Sequence, residues 1–276
     1  MTPLRLGIVE FLNTRPLVAG LEHTAGVELI GAVPAQLASM VLDGRVDLGL
    51  VSLVDAAAHA GELVVVPAGM IGCDGPTQTV GLFSRVPFER VTTLSVDADS
   101  HTSVVLAQLI LTSVMGVTPE VVPFDARAAA ADDAWPQTAL LIGDKVLTSS
   151  LGGYDHRLDL GSAWAELTGE PFVYAAWMCR ADRAADPAIA HACALLDHQL
   201  RHNLSRLDHI AASWAAQHDW PVAKAKHYLS TLLRYRLDSR ARHAAERFIA
   251  MAGAAGLITP CELVWSDRLP AACVAP

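Results

Sequence analysis

In Gly7-Ile8-Val9-Glu10-Phe11-Leu12-Asn13-Thr14-Arg15-Pro16-Leu17, an apolar strand runs straight into an asparagine. Pro16 then suits the first turn of a helix, where a missing N–H costs nothing. The turn sets a neutral amide at the C-terminal end of a strand and beside a helix N-terminus. Open α/β sheets bind their ligands at that place. Taken singly, an asparagine there needs no more than its local hydrogen bonding. Three further turns of the same kind follow, and the repetition carries the reading.

Residues 4–11, 27–33, 46–51 and 63–68 read as short buried strands, alternating with helical patterns over 17–22, 35–42 and 54–60. Alternation at this spacing predicts a parallel sheet covered on both faces. Thr79 to Ser84 reads as a strand that carries the chain out of the first lobe. A second set follows: strand 93–96, helix 103–115, strand 120–123, a short Ala-rich helix near 126–131 and strand 139–142. The apolar, aromatic run Pro171 to Trp177 crosses back. From Ala188 onward the pattern is helical, with Ile189, Cys193, Leu196, Leu200, Leu204 and Leu207 forming a stripe packed on one side. The expected architecture is two α/β lobes: 1–84 plus 178–276 as a larger discontinuous lobe, and 85–177 as a smaller one.

Composition narrows the function. Of the 276 residues, 52% are hydrophobic and 18% charged, which excludes a disordered chain. No apolar stretch reaches the roughly 18 to 20 residues that span a bilayer, so no membrane partner is expected. The N-terminus reads as a strand of the fold, without a secretory pattern, and the expectation is a cytoplasmic protein. A net charge of −9 argues against nucleic acid. It also means that an anionic substrate must be captured by local fields. Cys73, Cys179, Cys193, Cys261 and Cys273 are scattered, without a Cys-x-x-Cys pair, as reduced thiols in a cytosol would be.

Asn13-Thr14 follows the first strand. Ser52-Leu53-Val54-Asp55 follows the strand ending at Val51, a capping-box-like pattern in which Ser52 caps a helix. Asp99-Ser100-His101-Thr102-Ser103 follows the strand ending near Val96, and Gly143-Asp144 the one ending at Ile142. Each places hydroxyl, amide or carboxylate groups beside free helix N–H groups, which attract carboxylates or phosphates. Any one of the four is an ordinary cap. In a two-lobed fold the four converge on one cleft, which suits a small, multiply charged anion.

Other candidates carry less. His198 and His202 stand at i, i+4, a spacing that binds zinc, but with His191 and His209 they fall on the face away from the leucine stripe, so no metal is expected. Arg234, Arg236, Arg240, Arg242 and Arg247 read as a solvated face or a subunit contact. The sequence leaves the oligomeric state open, a homodimer included. Trp135, Trp164, Trp214, Trp220 and Trp265 read as packing, with Trp177 a candidate for the cleft wall. There is no Gly-x-Ser-x-Gly, no Gly-x-Gly-x-x-Gly and no P-loop. An enzyme built on this chain is therefore expected to work without a covalent intermediate, cofactor or metal.

Several segments together resemble a known family. Phe11-Leu12-Asn13-Thr14-Arg15-Pro16-Leu17 is similar to its Tyr-Leu-Asn-x-x-Pro-Leu opening, and Asp47-Leu48-Gly49-Leu50-Val51-Ser52 to its Asp-Leu-Ala-Leu-Val-Ser strand. Gly75-Pro76-Thr77-Gln78-Thr79-Val80 resembles a Gly-Pro-Val-x-Ser-Val loop, and Ser100-His101-Thr102-Ser103 a Ser-Arg-Thr-Ser turn. Leu141-Ile142-Gly143-Asp144, Asp159-Leu160-Gly161, Trp164 and Thr168 to Trp177 complete the set. The family is the chorismate dehydratase of menaquinone biosynthesis by the futalosine route. The matches span roughly residues 5 to 177, with a looser likeness over 228–258.

The resemblance implies a two-lobed fold like the type 2 periplasmic binding proteins, with the ligand cleft between the lobes. It implies that chorismate, a dicarboxylate, loses water to give 3-[(1-carboxyvinyl)oxy]benzoate. Aromatisation supplies the driving force, so the protein need only hold two carboxylates, exclude water and favour this elimination. By the same resemblance Asn13 is the polar group at the reacting centre, hydrogen-bonding or helping proton transfer. An amide is a poor base, which leaves the substrate's own carboxylate as a candidate proton acceptor. Ser52, Thr79, Ser100, Thr102 and Ser103 would hold carboxylates, and Asp144 either orients the leaving hydroxyl or caps its helix. Phe11, Thr79 and His101 depart from the usual Tyr, Ser and Arg. His101 either makes anion affinity pH-dependent or points to solvent. Three rival readings stand beside it: a sister enzyme making dihydroxynaphthoate, whose Ser-Pro-x-Pro-Asn-Asp-like opening is absent here; a small-anion binding protein; and the effector lobe of a regulator.

Overall fold

Strand β1 (Leu4–Ile8) runs parallel to β2 (Val27–Gly31) and β3 (Leu48–Ser52), and its last residues lead into the Asn13 turn. The structure, a computed structural model, describes residues 2–96, 101–125, 135–143, 146 and 152–268. After β1 come a 3-10 turn (Leu12–Thr14) and the short helix α1 (Arg15–Val18), with Pro16 in its first turn as the sequence predicts. Helix α2 (Pro34–Leu42) starts on a proline and buries Leu37 and Val41; α3 (Leu53–Ala58) follows β3 directly. Asp47 of the β3 motif serves the fold: it accepts the Arg5 backbone N–H at 2.9 Å and the Arg183 guanidinium at 2.8 Å. Those bonds hold its carboxyl below the usual range against the opposing effect of burial.

The first sheet is completed by β4 (Leu63–Cys73), β10 (Phe172–Arg180) and β11 (Leu233–Arg234), in the order β11-β4-β10-β3-β1-β2. A second sheet contains β5 (Val80–Ser84), β6 (Thr93–Val96), β7 (Glu120–Pro123), β8 (Thr138–Ile142) and β9 (His156–Asp159), in the order β7-β6-β8-β5-β9. Neither sheet is wholly parallel, contrary to the expectation. β10 is antiparallel to β3 and β4, and β5 is antiparallel to β8 and β9. The physical reason is the crossing itself: a strand that enters a lobe from the shared cleft runs opposite to strands that end at it.

Strand pairing also moves the crossings. Val80–Ser84 pairs wholly within the second sheet and Phe172–Arg180 within the first, so the chain changes sheets before residues 80 and 172, not at 84 and 177. Helix α4 (His101–Met115) packs in the second lobe, and α5 (Leu160–Thr168) leads into β10. The Ala-rich helix expected near 126–131 lies outside the described residues. C-terminal to β10 come α6 (Pro187–Leu204), α7 (Leu207–Trp214), α8 (Val222–His227), a π-helical turn (Tyr228–Leu232) and α9 (Ser239–Ala254). The leucine stripe is broken after Leu204, so Leu207 belongs to α7; Ile189, Leu196 and Leu200 are buried as predicted.

Aromatic packing ties α5, β10 and α9 together. Phe172 meets Trp164 at 5.4 Å, Phe248 at 4.8 Å and Tyr174 at 4.6 Å between ring centroids. Such edge-on pairs add to the burial of large apolar surfaces. Trp177 is fully buried and takes no part in the cleft wall, a correction to its candidacy there. His191, His198, His202 and His209 are all exposed on their helices, and among the described residues no three His, Cys, Asp or Glu side chains gather. Arg240, Arg242 and Arg247 pair with Asp74, Asp267 and Glu170. Also among the described residues, no helix is long and apolar enough to cross a membrane.

Candidate active site

Strands β1, β3 and β4 of the first lobe and β8 of the second end on one cavity, because each is followed there by a turn and not by more strand. The cavity encloses about 660 Å³ of empty space, its open mouth included. Asn13, Ser52, Thr79 and Ser103 line it, as do Gly143 at the end of β8, Thr77, Tyr174 and Tyr228. Its apolar wall comes from Val9, Phe11, Leu50, Ile71 and Leu233. Four of the residues singled out from the sequence thus meet in one place. Ser100 and Asp144 lie outside the described residues.

Ser52 and Thr102 form a clasp between the lobes. Their hydroxyls are 2.6 Å apart and both are buried. The Thr102 N–H donates to Ser52 Oγ at 3.1 Å, and the Val54 N–H donates to Thr102 Oγ1 at 3.2 Å. Each hydroxyl therefore satisfies an orphan N–H at the start of the other lobe's helix. Ser52 caps α4, not the helix that follows it in sequence, and Thr102 lies behind Ser52 outside the cavity lining. The expected capping box on α3 does not form, because Asp55 is taken by His101. His101 Nδ1 and Asp55 Oδ1 are 2.6 Å apart, again between lobes. That hydrogen bond, and after it the carboxylate charge, raises the His101 pKa against the effect of burial. His101 thus pairs with Asp55 outside the cavity lining, with 44% of its side chain exposed to solvent.

On the opposite wall, Thr79 Oγ1 lies 2.9 Å from the Tyr228 hydroxyl and 3.3 Å from Thr77 Oγ1. Tyr228 opens the π-helical turn, a widened turn that recurs at functional sites, and stacks on Trp220 at 4.8 Å. The loop bearing Thr77 and Thr79 is held by Asp159. That carboxylate accepts the N–H groups of Thr77 at 3.1 Å, Gln78 at 2.7 Å and Ser162 at 2.9 Å, so one side chain caps α5 and anchors the loop. Gln78 adopts a left-handed backbone with φ of 61°, which this anchoring supports. Gly161 is required beside it: a Cβ there would meet the Gly75 carbonyl at 2.4 Å and Cys73 Sγ at 2.7 Å.

Three of these features escape a reading of the sequence alone. Tyr228 is 149 residues from Thr79 and looks like one more apolar helix position. Tyr174 sits in what reads as a continuous buried strand, and Thr77 in what reads as a plain turn. The family resemblance of 75–80, 168–177 and, more loosely, 228–258 was the only available signal.

Residues 4–254 match the family model described as menaquinone biosynthesis. The chain belongs to that family. A chorismate dehydratase of Thermus thermophilus is 27% identical over 271 residues, which is 92% of this chain and 96% of that protein. Among solved structures, an Archaeoglobus fulgidus protein superposes with a TM-score of 0.73 at 16% identity, covering 93% of this chain and 99% of its own. The periplasmic aliphatic sulphonate binding protein of Escherichia coli superposes with a TM-score of 0.65 at 14% identity, covering 98% and 97%. At such identities the likeness concerns the fold: two lobes of the periplasmic-binding-protein type, here with the cavity between them.

Proposed function

We propose that this member of the menaquinone biosynthesis family is a chorismate dehydratase, which removes water from chorismate to give 3-[(1-carboxyvinyl)oxy]benzoate. The observation that carries the reading is the meeting of Asn13, Ser52, Thr79 and Ser103 in one cavity between the lobes, joined to the likeness over nearly the whole length of the Thermus enzyme. The futalosine branch of menaquinone synthesis and a cytoplasmic location belong to the same reading, the latter supported by Cys73, Cys179, Cys193 and Cys261 all being free thiols. The lobe division that goes with it sets β1 to β4, β10 and β11 against β5 to β9.

Chemically the site has little to do beyond holding and orienting. No Lys, Arg, His, Asp or Glu lines the cavity among the described residues. Substrate carboxylates are therefore held by hydroxyls and helix N–H groups, with Ser103 in the first turn of α4 and Ser52 at its cap. Asn13 stands at the reacting centre and hydrogen-bonds the substrate as charge moves. Ser100 and Asp144 keep their roles in this proposal, the first as a carboxylate ligand and the second as the partner of the leaving hydroxyl or a cap. Thr102 acts through Ser52, and His101 through Asp55.

The binding rival is tested by heat denaturation with candidate ligands. Chorismate raising the melting temperature, with alkanesulfonates inert, is the expected result. Stabilisation by alkanesulfonates with chorismate inert would overturn the reading.

A further inference from the structure

Holding charge and recognising shape fall to different groups in this cavity. The hydroxyls and helix N–H groups that receive carboxylates would hold any small dicarboxylate. Among the described residues, no charged side chain lines the cavity to tell one from another. Discrimination therefore belongs to the apolar wall. Of Val9, Phe11, Leu50, Ile71 and Leu233, Phe11 is half-buried and the others are buried, so Phe11 keeps surface to offer a ligand.

Backbone and packing hold the Phe11 ring still. Phe11 has an extended backbone, with φ of −96° and ψ of 159°, and its carbonyl accepts the Thr14 N–H at 3.1 Å. Val9, Phe11 and Asn13 line the cavity, while Leu12 is buried in the core. The ring also reaches the second lobe. A Cβ built on Gly143, at the end of β8, would lie 3.7–3.8 Å from Cε1, Cζ and Cε2 of Phe11. Nearly equal distances to those three atoms put that position over the face of the ring, not beyond its tip. Gly143 thus backs one face and fixes the ring plane, and a ring so held loses little freedom when a ligand arrives.

We propose that Phe11 is a specificity-determining residue whose other face lies against the six-membered ring of the substrate, so that the cavity takes a cyclic dicarboxylate in preference to an acyclic one of the same charge; this rests on the chorismate reading above. Flat rings gain from offset face contact beyond the area they bury. With Asn13 two residues on, the same contact sets the substrate ring relative to the amide. The carbon ring persists through the loss of water, so the contact is made before and after the reaction and acts on KM more than on kcat.

The test compares Phe11→Leu, which keeps apolar bulk and removes the flat face, with Phe11→Tyr, which keeps the face, both in the full chain. Calorimetry follows the binding of chorismate and of glutarate, an acyclic dicarboxylate, beside KM and kcat. The parent is expected to bind chorismate at least about 10-fold more tightly than glutarate. Phe11→Leu is expected to lose roughly 5-fold in chorismate affinity, with kcat within about twofold, while Phe11→Tyr stays within about twofold of the parent. Chorismate bound as tightly by Phe11→Leu as by the parent overturns the inference. So does an equal loss in both variants, or glutarate bound by the parent as tightly as chorismate. A parent that binds chorismate without turning it over removes the dehydratase reading, and the affinities still decide this inference. A parent that does not bind chorismate removes both.

Discussion

Asn13 projects an amide into the cavity from the turn that opens the chain, and its Oδ1 receives a weak bond from Thr14 at 3.4 Å. An amide there can donate to a developing negative charge but cannot hold a proton well. Asn13→Ala is therefore expected to lower kcat for chorismate by roughly 100-fold, with little change in melting temperature, as steady-state kinetics and calorimetry would show. That Asn13, Ser52 and Ser103 line one cavity was legible because hydroxyls and amides at strand ends have few other reasons to recur, and Thr79 was legible only through the resemblance of its loop. Tyr174 and Tyr228 were not, because a tyrosine within an apolar run looks like core until the fold sets it on the cavity wall. Thr102 and His101 were legible as belonging to the right turn, but not as partners of Ser52 and Asp55, which lie about fifty residues earlier.

The segment from Gly75 to Gly161 shows how an element acquires a function through its anchors. Asp159 fixes the Thr77–Gln78 backbone and the start of α5 together, and Gly161 leaves room for the close approach. Gly161→Ala would force the new methyl into the Gly75 carbonyl, and unfolding in denaturant should show a loss of roughly 1–3 kcal/mol. Strand directions and edges were the least readable features. β4 continues past Ala68 to Cys73 through Gly69 and Gly72, residues that read as strand breakers. β9 and β11 are short or polar edge strands without an apolar alternation to mark them. The antiparallel course of β5 and β10 has no sequence signature at all, since burial on both faces looks alike in either direction.

The two lobes meet through side chains as well as through their crossings, and this gives the molecule a pH dependence. His101 has a raised pKa in the folded state because of Asp55. The stability from their contact is thus complete below the unfolded histidine value of about 6.5 and is lost as pH rises through the higher folded value. Melting temperature should decline over that range more steeply in the parent than in Asp55→Asn, which removes the charge that raises His101. Equal slopes in the two proteins would show that the contact does not hold the lobes. The two-lobed plan itself was readable from the alternation of strands and helices, whereas the contacts that close it depend on residues from both lobes and emerge only with the fold.

The most direct measurement is to mix the purified chain with chorismate, without added metal or nucleotide, and follow the products by chromatography with mass detection. The prediction is 3-[(1-carboxyvinyl)oxy]benzoate accumulating well above the spontaneous background, with chorismate consumed one for one. Chorismate left intact by the folded protein, or lost only to its spontaneous products, would contradict the dehydratase assignment.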